Sequence, residues 1–220
     1  MKSYRTRWDF IEPYVEGKKV LDVGPAELVG TVHRFKEERW LHKRIASVTT
    51  KVVGLEINTE QMRALRDMGY DIRLGDAESF DLGETFDVVV AGELIEHLSN
   101  PGKFIECARR HLGPNGVLLL TTPNRFGALA FLKVLRRNRV PSYDKPIDKH
   151  VLYFDEDSIK SLLTRHGYSD IVVAYYETVG GPAKDFKTRL LNAFLRRYRP
   201  VLLSGILVSA FWKEGSVRDD

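Results

Sequence analysis

One cysteine, Cys107, in a chain of 220 residues excludes an intrachain disulfide and any zinc site built from thiolates. A reducing compartment is the expectation. Long apolar runs are missing too: the longest, Val201 to Trp212, is too short and too interrupted to span a bilayer. The opening MKSYRTRWDF lacks the apolar stretch of a secretory signal, so the chain reads as soluble and cytoplasmic. Charge of one sign is scarce as well. Thirty-four Lys+Arg against 30 Asp+Glu leave a formal net charge of +4, and no nucleic-acid-binding module is recognisable. The basic excess is concentrated in two places, Lys133, Arg136, Arg137 and Arg139, then Lys184, Lys187, Arg189, Arg196, Arg197 and Arg199. Such clusters read first as solvated helix faces, and otherwise as surfaces for an acidic substrate, an anionic membrane or a nucleic acid.

With 43% hydrophobic and 29% charged residues, the chain has the composition of a globular protein, and its length suits a single domain over residues 1–220. From residue 18 onward, short apolar runs alternate with helix-periodic segments carrying start and stop signals, the pattern of an α/β protein with a parallel sheet. Strands are expected at 19–23, 52–57, 71–74, 86–90, 117–121, 171–176 and 202–212. Helices are expected from Asn58, with Gln61 completing a capping box and Gly69 past its end, from Asn100-Pro101 to Gly113-Pro114, and from Asp155 to His166. Residues 123–153 and 180–200 exceed ordinary connectors. Each combines an apolar stripe with arginines: Phe126, Leu129, Phe131, Leu132, Val134 and Leu135 in one, Leu190, Leu191, Phe194 and Leu195 in the other. They are expected to cap an acceptor site or to touch anionic lipid.

The chemistry concentrates at strand ends. Val20-Leu21-Asp22-Val23-Gly24-Pro25-Ala26-Glu27 is a strand running into a glycine turn, where backbone can approach a nucleotide. The next strand ends in Glu56, an acid able to accept from both hydroxyls of a ribose, and Gly75-Asp76-Ala77-Glu78 follows the third, where a carboxylate would receive an adenine amino group. Beyond the fourth strand comes Glu93-Leu94-Ile95-Glu96-His97. If helical, it puts Glu93, Glu96 and His97 on one face. Two acids near a helix N-terminus can simply stabilise it. They can also hold a divalent metal with His97 and the distant His150, or leave either histidine as a general base.

The ordered strings VLDVGPAE, VVGLEIN, GDAESF, FDVVVAGELIEHL and LGPNGVLLLTTPN resemble the motifs of class I S-adenosylmethionine-dependent methyltransferases. The resemblance implies a Rossmann-like, seven-stranded, mostly parallel sheet with helices on both faces and the last strand antiparallel. It assigns S-adenosylmethionine to Asp22, Gly24, Ala26, Glu56, Ile57, Asp76, Ala77 and Ala91, with Asp22 and Gly24 at the methionine end. Glu-x-x-Glu-His followed much later by histidine is similar to the metal-binding arrangement of ubiquinone-pathway O-methyltransferases and of enzymes that methylate the 3′-terminal 2′-hydroxyl of small RNAs. That likeness makes Glu93, Glu96, His97 and His150 the ligands of Mg²⁺, Mn²⁺, Fe²⁺ or Zn²⁺, and Glu93, His97 and His150 the catalytic candidates. The expected reaction is methyl transfer to an oxygen of a small or lipid-like acceptor; an RNA terminus, or cofactor binding without turnover, are the alternatives.

The pattern departs from the family in two respects. Its second and third turn glycines are Ala26 and Leu28 here, and the gap from Asp22 to Glu56 exceeds the about 20 residues usual between such a turn and its ribose acid. Residues 34–51 must hold the extra length. Trp8, Phe10 and Tyr14 suit either a lid over the cofactor or simple packing. His33, His42, His111 and His166 show no ligand spacing and read as surface or capping residues.

Overall fold

Period-two alternation of apolar residues, on strands buried from both sides, dictates a sheet between two helical layers. The computed structural model describes residues 1–26, 40–137, 150–177 and 186–212. Along them run β1 (Ser3–Tyr4), α1 (Trp8–Val15), β2 (Lys19–Val23), α2 (Leu41–Val48), β3 (Lys51–Glu56), α3 (Thr59–Asp67), β4 (Ile72–Leu74) and β5 (Phe86–Gly92). Then come α4 (Pro101–Arg110), β6 (Leu112–Pro123), α5 (Ala128–Arg137), α6 (Glu156–Arg165), β7 (Tyr168–Tyr176), α7 (Phe186–Tyr198) and β8 (Gly205–Trp212). The sheet order is β1-β7-β8-β6-β5-β2-β3-β4. All pairings are parallel except those of β8, which enters antiparallel between β6 and β7, as the family pattern implies.

Alternate residues of the central strands feed two cores. Leu21, Val23, Val89, Ala91, Leu118 and Leu120 pack with Phe104 and Ile105 of α4 and Ile159 and Leu163 of α6. Val20, Val88, Val90, Val117 and Leu119 pack with Phe10 and Ile11 of α1 and Leu41 and Ile45 of α2. Full burial of each such side chain is worth about 1.5–3 kcal/mol, so the layers hold without disulfides. Trp8 and Phe10 are buried in the second core, which makes the N-terminal aromatics packing residues.

The starts of α3, α4 and α6 follow their side-chain caps. Asn58 accepts from the amides of Glu60 and Gln61, Asn100 from that of Lys103, and Asp155 forms a capping box with Ser158. Each such cap contributes about 1 kcal/mol.

Three expectations change. The sheet has eight strands, not seven, because Ser3–Tyr4 adds in parallel to the outer edge of β7. β6 begins at Leu112 rather than 117: α4 ends at Arg110 with His111 as its cap, so the expected stop at Gly113-Pro114 falls inside the next strand, where pairing passes from Phe86↔Leu112 to Val88↔Val117 and the residues between are looped out through Asn115 at φ 59°. The extra length before Glu56 contains α2, and a 3-10 turn at Pro200–Leu202 delays the last strand to Gly205. Parts of the two long segments, 138–149 and 178–185, lie outside the described residues, as do Glu27, Leu28 and His33. Among the described residues, no helix is long and apolar enough to cross a membrane.

Candidate active site

Connections leave β2 and β5 in opposite directions along the sheet, so a crevice opens at their carboxyl ends. It has a volume of about 360 Å³ and is walled by Gly24, Glu56, Ile57, Asp76, Ala77, Glu93, Leu94 and His97, with Leu98 and Ser99 at one side. Gly24 sits at φ 77° and donates its N–H to Leu55 O at 2.9 Å; an added Cβ would lie 3.2 Å from Leu94 Cδ1. Glycine's freedom is needed there both for the turn and for the close approach of Leu94.

Glu56 is 5% exposed, and its Oε1 accepts from the Asn58 amide at 2.9 Å. Burial pushes its carboxyl above the usual range despite backbone donors from Asn58, Ala26 and Ile57. A further hydrogen-bond donor would favour the charged form. Ile57 is 66% exposed and offers an apolar wall. Asp76 Oδ1 takes the Glu78 amide, and Glu78 in turn receives the amides of Ser99 and Asn100, which ties this rim to the start of α4.

Asp22, Ala26 and Ala91, expected at the cofactor, lie behind the wall and not on it. All three are buried; Ala91 packs in the core, and Asp22 Oδ2 meets His42 Nδ1 at 2.8 Å. His42, expected at the surface or as a cap, is fully buried. His111 and His166 do close the ends of α4 and α6.

Past β5 the chain does not become an α-helix. Glu93 adopts φ 55° and is followed by a single 3-10 turn, Ile95–His97, so the three polar residues do not share a helical face. Glu93 turns toward the sheet, where Oε1 accepts from Thr121 Oγ1 at 2.9 Å and from the Tyr176 hydroxyl at 2.7 Å. Glu96 is 1% exposed, and its Oε2 accepts from Thr122 Oγ1 at 3.0 Å. Its backbone carbonyl receives the amides of Val151 and Leu152, which draws His150 over the turn. The His150 ring meets His97 edge to face, centroids 4.8 Å apart. Donor atoms of Glu96, His97 and His150 all lie within 4.8 Å of one another; Glu93 is outside this set.

Burial, then the neighbouring Glu93 charge, holds the Glu96 carboxyl well above its usual range. Burial and Glu93 likewise raise the Tyr176 hydroxyl. Arg7, at the start of α1, opposes both shifts with its positive charge. Sequence reasoning does not single out Arg7, Thr121, Thr122 or Tyr176. Thr121 and Thr122 belong to a quoted motif, whereas Arg7 and Tyr176 carry no local signal.

The methyltransferase domain family model matches residues 9–173. A ubiquinone biosynthesis O-methyltransferase of Actinobacillus pleuropneumoniae serotype 5b (strain L20) is 29% identical over 134 residues, covering 54% of this chain and 53% of that protein. The chain spans about half the length of the curated relatives it matches. A SAM-dependent methyltransferase from Archaeoglobus fulgidus superposes with a TM-score of 0.61 at 16% identity, over 93% of this chain and 91% of that one. The N-methyltransferase NodS of Bradyrhizobium japonicum WM9, solved with S-adenosyl-L-homocysteine, gives 0.58 at 12% identity, over 94% and 86%. Those two likenesses concern the fold, and the family match covers well over half of the chain; together with the crevice at the β2–β5 reversal, they establish that this chain belongs to the class I S-adenosylmethionine-dependent methyltransferases.

Proposed function

We propose that the chain transfers a methyl group from S-adenosylmethionine to an oxygen of a small or lipid-like acceptor. The observation that carries this reading is the junction of two chemistries in one crevice: the acids Glu56 and Asp76 at one end, the imidazole of His97 at the other. The cofactor fits the acidic end. Glu56, whose burial outweighs its three backbone donors, would take the ribose hydroxyls; Asp76 with Ala77 would meet the adenine edge, and Ile57 its face. Once bound, the cofactor supplies an activated methyl group on a sulfonium. The protein's remaining work is alignment and exclusion of water, effects able to contribute about 7–11 kcal/mol. His97 would accept the acceptor's hydroxyl proton, with its ring braced by His150.

Glu96, His97 and His150 also fit a divalent cation. Glu96 Oε1 is buried without a hydrogen-bond partner among the described residues, and the two imidazoles lie beside it. One carboxylate and two imidazoles suit Mn²⁺, Fe²⁺ or Zn²⁺, and Mg²⁺ less well. Such an ion would lower the pKa of an acceptor hydroxyl. Glu93, a fourth expected ligand, has Oε1 engaged by Tyr176 and Thr121.

A lipid-like acceptor draws support from α7. Phe186, Leu190, Phe194 and Tyr198 recur every fourth residue and are 55–76% exposed, while Asn192 and Leu195 face inward. Neither α5 nor α7 contains an acid, and Lys187, Arg189, Arg197, Arg136 and Arg125 accompany the exposed apolar residues. An apolar stripe among cations suits an anionic membrane surface, where an acceptor of that kind resides.

The test is calorimetry with S-adenosylhomocysteine, then transfer of labelled methyl from S-adenosylmethionine into cell extract with the product identified. A labelled hydroxylated lipid or small molecule is the expected result. Label appearing only in RNA favours the terminal 2′-hydroxyl as acceptor, and binding without transfer to any fraction refutes the enzymatic reading.

A further inference from the structure

The extra chain before Glu56 delivers one compact contact to the site. α2 begins at Trp40-Leu41-His42, and the three side chains grip three separate points. Trp40 caps the helix, and its Nε1–H donates to Pro25 O at 2.6 Å, immediately after Gly24. His42 Nδ1 meets Asp22 Oδ2 at 2.8 Å, with the two side chains 0% and 3% exposed. Leu41 Cδ2 would lie 2.8 Å from a Cβ on Gly92, the residue before Glu93. Trp40, His42 and Tyr70 form a ring cluster with centroids 5.0–5.3 Å apart, which fixes the imidazole plane. Gly54 lets the turn settle against this cluster: a Cβ there would stand 3.0 Å from Pro25 Cγ and 3.3 Å from His42 Cε1.

Asp22 is thus a buried carboxylate aimed away from the crevice. A carboxylate at 2% exposure requires a donor, and the imidazole N–H supplies it. His42 Nε2, on the far side of the ring, is buried with no hydrogen-bond partner among the described residues. Among the described residues, Asp22 is therefore the ring's one hydrogen-bond partner. Family members carry a run of glycines in this turn; here the later positions are Ala26 and Leu28.

We infer that His42, with Trp40, is a positioning residue for cofactor binding, holding Asp22 and the Gly24-Pro25 turn from behind the crevice wall. Asp22 then acts as the strut that passes this constraint to Gly24. The inference rests on the crevice being the S-adenosylmethionine site. Leu41 extends the constraint to Gly92, so one helix start sets the spacing between the cofactor turn and the Glu93 segment.

The experiment measures S-adenosylhomocysteine affinity by calorimetry for the full-length wild type, His42→Ala and His42→Asn, with thermal unfolding of each without ligand. Asn can donate from near the Nδ1 position, whereas Ala cannot. His42→Ala should bind about tenfold more weakly or worse, the scale of a hydrogen bond to a charged group, and His42→Asn should regain most of that loss. In the wild type, the ¹⁵N resonances of the His42 ring should report an Nδ1–H tautomer and shift on ligand addition. Wild-type affinity in folded His42→Ala overturns the inference while leaving the crevice assignment intact. If that variant does not fold, a His42 ring signal unmoved by bound ligand overturns it equally. Absence of binding by the wild type removes the cofactor reading, and the clamp with it.

Discussion

Replacing Glu56 by glutamine tests the cofactor reading with little disturbance to the fold. The amide side chain would keep the shape, and its carbonyl oxygen would still receive the Asn58 amide, which lies 2.9 Å from Oε1 in the wild type. What the variant loses is the second accepting oxygen and the charge. Hydrogen bonds to a charged group contribute about 1.5–3 kcal/mol, so Glu56→Gln should weaken S-adenosylhomocysteine binding by about 10- to 150-fold. Stability should move the other way. Burial raises the Glu56 carboxyl in the folded protein, so its charged form disfavours folding. The side chain's favourable contribution is complete below the unfolded-state value and is lost as pH rises through the folded one. At neutral pH the ligand-free variant should therefore be at least as stable as the wild type. Ligand affinity should follow the opposite course. Ribose hydroxyls donate to the carboxylate, so wild-type affinity should fall as pH drops through the raised value, with a flatter profile in the variant. Calorimetry across that window reads both effects. Undiminished affinity in folded Glu56→Gln would falsify the ribose assignment.

Three further outcomes are accessible. Tyr176→Phe deletes the buried hydroxyl donor to Glu93 and should cost about 1–3 kcal/mol in denaturant unfolding, with a lower kcat; an unchanged midpoint would mean that Thr121 alone holds the carboxylate. If Glu96, His97 and His150 hold a cation, chelation should abolish methyl transfer and added metal restore it, while His150→Ala loses rate more than cofactor affinity. Full activity in a metal-free preparation leaves His97 as a simple base. Leu190→Glu with Phe194→Glu should abolish flotation with anionic vesicles at low salt without altering S-adenosylhomocysteine affinity, and equal flotation of wild type and variant rejects α7 as the contact.

Sequence pattern locates most elements because their signals are local. Asn58, Asn100 and Asp155 cap the helices at which caps are expected, and the apolar runs before Gly24 and Glu93 are strands. α2 escapes the pattern because Trp40, with no side-chain cap bond, begins it, and no glycine follows it. β1 is too short to show alternation and exists only because β7 offers an open edge. The crevice is legible for the same local reason: Glu56 ends a strand, and Gly24, Ile57, Asp76 and Ala77 lie just past strand ends. The acidic segment is not. Glu93 leaves the helical region at φ 55° under hydrogen bonds from Thr121 and Tyr176, partners 28 and 83 residues away. Pairings at that separation depend on the topology, and no window along the chain contains them. His42 is hidden similarly, since its burial depends on Asp22 across β2 and on Tyr70 after α3.

The placement of β8 has a kinetic consequence. Among the described strands it comes last in chain order, yet it lies between β6 and β7. β7 therefore has no sheet partner on its inner side until β8 docks, and β1 must wait for β7. The block β4-β3-β2-β5-β6 closes through shorter loops and can assemble earlier. Cofactor affinity should then emerge before the Tyr176 hydroxyl reaches Glu93, making the Glu93–His97 end of the crevice the later one to mature during refolding.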